Sequence, residues 1–137
     1  MNDTIFTEVQ ELCNTIISSP FVSCKDIENI NGVYIFYEDN KPMYVGRTNR
    51  KRMKLRIQEH YRPSANKHSA TFALKLAQKE KREPISHTYD EYFVAAKERV
   101  GEMQIKKLEE DRNFHQLLLE AYIAYKYQIP YFESDTH

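Results

Sequence analysis

No stretch of the chain approaches the roughly 20 consecutive apolar residues that a membrane-spanning helix requires. Its first residues, MNDTIFTEV, also lack the basic-then-apolar pattern of a secretory signal. A soluble, cytoplasmic protein with no membrane partner is therefore expected. Cysteine is scarce: Cys13 and Cys24 are the only thiols in 137 residues, too few for a disulfide framework and not spaced as a metal-ligand pair. Both are expected to be reduced and partly buried. Internal repeats, low-complexity tracts, zinc motifs and an evident nucleic-acid recognition helix are all missing as well. The length is that of one domain with one core, so one active site is the expectation.

Net charge is absent too, with 20 Lys or Arg against 20 Asp or Glu, but the average conceals a segregation. Between Lys41 and Arg82 lie thirteen bases and two acids, Glu59 and Glu80, a local net of +11; the remaining seven bases and eighteen acids balance it at −11. Such a block can place a positive field on one part of the surface, where phosphates are attracted and their counterions released. Arg47, Arg50, Lys51, Arg52 and Lys54 are its densest run and the candidate nucleic-acid contacts.

The pattern of apolar residues gives the elements. Ile5, Val9, Leu12, Cys13, Ile16 and Ile17 fall at helical spacing between Thr4 and Ser18, so an amphipathic helix ending at the Ser-Ser-Pro run is expected to serve packing. Gly32 to Tyr37 is β-branched and aromatic, Glu38 to Lys41 is turn-like, and Pro42 to Gly46 reads as a second strand, together a hairpin. From about 49 to 61 the spacing of Met53, Ile57 and Tyr61 predicts a helix whose one face carries Arg56 and His60. A second helix is expected at 68–80 and a third strand at 86–95 through Tyr89, Phe93 and Val94. Two more helices, at about 97–109 and 112–127, complete the reading, with Pro130 as the stop.

Gly32-Val33-Tyr34, then Tyr44-Val45-Gly46 ten residues on, then Arg56 and His60 four apart in the next helix, closely resemble the GIY-YIG nuclease superfamily. The resemblance covers about three quarters of the chain and implies an α+β fold: a small three-stranded antiparallel sheet flanked by helices, in the order ββααβαα. Here that fold would carry an extra N-terminal helix. The implied layout is an N-terminal helix and linker at 1–28, a nuclease domain at 29–133 and a tail at 134–137.

Membership implies a metal-dependent endonuclease that hydrolyses phosphodiester bonds, with DNA the expected substrate. That reaction needs an activated water, neutralisation of phosphoryl charge and relief of charge on the leaving oxygen, and a divalent ion can serve the last two. The resemblance assigns the ion, Mg²⁺ or Mn²⁺, to one glutamate. Glu120 fits, lying between Leu117-Leu118-Leu119 and Ala121-Tyr122-Ile123, where a carboxylate is costly to bury without a partner or metal. Arg56 resembles the arginine that holds the scissile phosphate, and His60 the residue that takes or relays a proton. Tyr34 and Tyr44 resemble the two motif tyrosines that position or deprotonate the water. Gly46 permits close backbone approach, Arg47 suggests a further phosphate contact, and His68 resembles a second histidine of some homing enzymes. One departure stands out: where many relatives carry Asn after a late Pro element, Pro130-Tyr131-Phe132 is followed by Glu133.

A nucleic-acid-binding module that keeps the fold without turnover is the competing class, and an acidic-helix interaction domain a third that leaves the basic block unexplained. Specificity is expected to come from a protein partner. The geometry makes one sharp demand. In an antiparallel hairpin Tyr34 and Tyr44 share a face only if the connection holds an odd number of residues. A loop of 37–41 or 38–40 is therefore expected, with Arg56, His60 and Glu120 converging on that same face; an even register, or Glu120 on the far side of the sheet from Tyr34, counts against these residues as one active site.

Overall fold

The computed structural model of the chain describes residues 4–80 and 89–132. In order these form α1 (Thr4–Ser18), β1 (Val22–Ser23), β2 (Gly32–Glu38), β3 (Lys41–Thr48), α2 (Met53–Tyr61), α3 (Thr71–Glu80), α4 (Tyr89–Gly101), β4 (Gln104–Glu109), α5 (Asn113–Lys126) and β5 (Tyr131–Phe132). The fold is α+β with an N-terminal helix, as expected. Its sheet has the antiparallel trio β4-β2-β3 at the centre, extended at the edges by the two-residue strands β1, antiparallel to β4, and β5, parallel to β3. No helix among the described residues is long and apolar enough to cross a membrane.

Side chains alternate across the sheet and so build two cores. Tyr34, Phe36, Tyr44 and Ile105 point to one face, where Met53 and Ile57 of α2, Phe72 and Leu76 of α3, and Phe93 and Val100 of α4 cover them. Val33, Ile35, Tyr37 and Val45 point to the other, under Val9, Cys13 and Ile16 of α1 and Leu119 and Ile123 of α5. Cys13 and Cys24 are free and buried, one in each core.

The hairpin departs from the odd-loop expectation in an instructive way. Glu38 pairs with Lys41, and Asp39 and Asn40 between them have φ of 52° and 65°, a two-residue turn that needs the left-handed region at both positions. Taken alone, that even loop puts Tyr34 and Tyr44 on opposite faces. A β-bulge corrects it: Tyr37 pairs with Pro42 but Phe36 pairs with Tyr44, so Met43 is the extra residue. The bulge shifts the alternation by one, Tyr34 falls opposite Gly46, and both tyrosines face α2 and α3.

The third strand is also corrected. Residues 89–101 of the span read as strand and helix are one helix, α4, which buries Phe93, Ala96 and Val100 at helical spacing; residues 86–88 lie outside those described. The strand is β4, inside the segment expected to be helical. Its period was hidden because Lys106 occupies an inward position opposite Ile35. There its ammonium lies 4.7 Å from the ring of Phe21 and 5.5 Å from that of Tyr37 and donates to the Ile17 carbonyl. A lysine stem with a cation–π cap does the packing usually given to a valine.

Candidate functional site

The four-residue spacing on α2 turns Met53, Arg56, Ile57 and His60 inward together, and the bulged hairpin brings Tyr34 and Tyr44 to meet them. The Tyr34 hydroxyl lies 2.9 Å from His60 Nε2, the tautomer deciding which of the two donates. The His60 ring stands edge-on to Tyr44 at 5.0 Å and to Phe36 at 5.4 Å. Tyr34 and Tyr44 are 6.5 Å apart, centroid to centroid. Gly46 is required by this arrangement: a Cβ there would lie 2.5 Å from the Tyr34 hydroxyl. Helical spacing on α2 brings Arg56 and His60 together, and the bulge at Met43, not the expected odd loop, brings Tyr34 and Tyr44 to them.

Their surroundings were not foreseen. Tyr34, Tyr44, Arg56 and His60 are all 0 % exposed. Phe72 of α3 stacks on Tyr44 at 4.7 Å and 18°. Arg56 donates from one terminal nitrogen to the Ser69 carbonyl at 2.6 Å and from the other to Thr71 Oγ1 at 3.1 Å, with Glu59 3.9 Å away. The connection between α2 and α3 thus turns carbonyls inward onto a cation. Lys97 of α4 repeats the device, donating to the carbonyls of Pro63 at 2.7 Å and Ala65 at 2.9 Å, and burial pushes its ammonium below its ordinary pKa. No local sequence pattern marks Lys97.

Glu120 does not join this cluster, so the one-face expectation is overturned. Its helix α5 covers the opposite core, because Leu119 and Ile123 bury against Val33, Ile35 and Val45. There the carboxylate, 2 % exposed, sits 3.8 Å from Arg47 Nε. Arg47 also donates to Asn113 Oδ1 at 2.9 Å. Arg47 immediately follows Gly46, over which the Tyr34 hydroxyl lies, so one strand's thickness divides the two groups. Arg47, expected to be a phosphate contact, is buried in this pair.

Among the remaining candidates, Arg50, Lys51 and Lys54 are exposed beside the start of α2, while Arg52 is tied to Glu59 at 2.5 Å. His68 is exposed in the turn organised by the Asn66 side chain and stays outside the buried cluster. Glu133, the departure noted in the sequence, lies outside the described residues.

The order of these residues along the fold, two tyrosines on a bulged hairpin and an Arg-His pair on the next helix, is matched by comparison. Residues 30–128 match the GIY-YIG catalytic domain. The chain belongs to the GIY-YIG family. No match was found among curated proteins or among solved structures. Members of the GIY-YIG family are endonucleases and generally depend on a divalent metal, so this chain carries a nuclease-type domain whose substrate class is nucleic acid.

Among the described residues no three of His, Cys, Asp and Glu gather as a ready metal cage. The donor set around Glu120 still fits a hard divalent cation. One carboxylate with a neutral amide oxygen one helical turn away is a donor set of the kind Mg²⁺ takes, with water or phosphate oxygens completing the shell. Gln116 lies one turn before Glu120 on the same helix. It is 0 % exposed, and nothing in the sequence reading had singled it out.

Proposed function

We propose that this chain is a metal-dependent endonuclease that hydrolyses phosphodiester bonds, most readily of DNA, through Tyr34, Tyr44, Arg56, His60 and Glu120. The observation that carries the reading is the 2.9 Å contact between the Tyr34 hydroxyl and His60 Nε2, one helical turn from Arg56.

In the proposed mechanism His60 takes the Tyr34 proton through that contact, leaving a phenolic oxygen able to accept a proton from the attacking water. Tyr44, held by Phe72 and edge-on to His60, keeps the histidine ring in register. The fork of Arg56 neutralises charge that grows on the phosphoryl oxygens; the phosphate replaces the Ser69 carbonyl and Thr71 hydroxyl as its acceptors. Glu120 and its neighbouring oxygens would hold the divalent ion, whose chemistry is to polarise the phosphate and stabilise the leaving oxygen. Arg47 then exchanges Glu120 for a phosphate oxygen. Arg50, Lys51 and Lys54 supply the electrostatic approach.

The second reading, a nucleic-acid-binding module without turnover, is favoured by one observation: the four clustered side chains are solvent-excluded while Glu120 sits on the other face. A cleavage panel of plasmid, branched DNA and RNA, with and without Mg²⁺, separates the two. Mg²⁺-dependent cutting of any DNA supports the nuclease. Binding to all three without cutting supports the module.

A further inference from the structure

Helix α5 carries a polar stripe that is exposed at Asn113 and buried at Gln116 and Glu120. Asn113, Gln116 and Glu120 recur at three- and four-residue spacing and so share one side of the helix; Arg47 touches the first and the last. Gln116 lies between them, 0 % exposed. Its amide cannot be flipped, because Nε2 donates to the Glu110 carbonyl, a group that only accepts. The opposite end is thereby fixed as Oε1, a buried oxygen with no hydrogen-bond partner among the described residues. Leaving a buried acceptor unmet costs about 1–3 kcal/mol, and a side chain this firmly oriented holds that cost in place. The Glu110 backbone that fixes it is itself secured, its N–H donating to Asn31 O at 3.0 Å and its carboxylate gripping Arg112.

We propose that Gln116 Oε1 is a second oxygen donor to the divalent cation carried by Glu120. Residues four apart on a helix place their Cβ atoms about 5–6 Å from one another, so an amide oxygen and a carboxylate reaching the same way can share one small hard cation. A neutral amide suits the role: it adds a dipole without a second charge, and Arg47 at 3.8 Å then needs to release only one carboxylate. The inference rests on the assignment of the cation to Glu120.

The test measures Mn²⁺ binding to the purified full chain by electron paramagnetic resonance, without substrate. Wild type is expected to bind, and Glu120→Gln to lose binding. Gln116→Met, which keeps the volume and removes the oxygen, is expected to weaken Mn²⁺ about tenfold or more. Gln116→Glu is expected to bind Mn²⁺ more tightly than wild type, and to gain more thermal stability from the ion than wild type does. A merely structural glutamine would not produce that gain, and this variant remains informative if Gln116→Met folds poorly. Wild-type affinity in Gln116→Met, or no added stabilisation of Gln116→Glu by Mn²⁺, overturns the inference while leaving Glu120 as the ion's residue. If wild type itself binds no Mn²⁺, the assignment of the ion to Glu120 fails and this inference with it.

Discussion

An arginine that served only to hold the scissile phosphate could be removed without loss of the fold. The burial of Arg56 argues otherwise. A fully enclosed guanidinium that donates to the Ser69 carbonyl and Thr71 hydroxyl takes both of those bonds with it when truncated. Arg56→Ala should therefore cost about 3 kcal/mol or more of stability, read as a lowered denaturant midpoint; a midpoint equal to wild type would mean the guanidinium is not held as described. Arg56→Lys keeps a cation and should lose less stability while still losing the two-pronged phosphate grip. At this scale Arg56 and His60 were legible because helical spacing is a local rule, whereas the tyrosines were picked out by their motif and placed by a bulge that the motif does not announce. Gln116 was within reach of the same rule, being four residues before Glu120. Lys97 was not, since its partners Pro63 and Ala65 are more than thirty residues away and carry no side-chain signal for it.

Elements follow from short-range pattern until a bulge or a tertiary contact intervenes. Asp39-Asn40 announces a tight turn, but parity at the tip says nothing about Met43, whose insertion decides which face Tyr44 takes. Deleting Met43 should restore the even register and turn Tyr44 toward α1 and α5. Proton NMR would then show the ring contacts between Tyr44 and Phe72 lost, together with nuclease activity and some stability. Retention of the Tyr44–Phe72 contacts in the deletion variant would mean that the bulge does not set the face. The misplaced third strand has a similar origin. The 86–95 stretch alternates well enough to mimic a strand, whereas β4 hides its own alternation behind Lys106. In both cases the deciding contact lies on another element, Phe21 and Tyr37 for Lys106 and the β2 partner for Met43.

Across the whole molecule, charge sets two measurable responses. Glu38 and Glu110 are held below the ordinary carboxyl pKa of 4.5, chiefly by hydrogen bonds from Arg99 and Arg112. A depressed folded pKa means that the folded state binds fewer protons. The stabilisation is therefore present above about pH 4.5 and drains away as pH falls through the lower folded values. Thermal melts should fall steeply on that acid limb, and Glu110→Gln should flatten it; an unchanged limb in the variant would remove Glu110 from the account. The segregated basic block predicts that DNA affinity falls steeply with salt, roughly in proportion to the phosphates contacted on a logarithmic scale. A flat salt response would assign the basic residues to solvation. The central claim, that the Tyr34–His60 contact does chemistry, is tested most directly by Tyr34→Phe, which removes one oxygen and keeps the ring. The account predicts a loss of about 1 kcal/mol in stability and about a hundredfold or greater loss in Mg²⁺-dependent DNA cleavage. Wild-type cleavage by the folded Tyr34→Phe protein would contradict it.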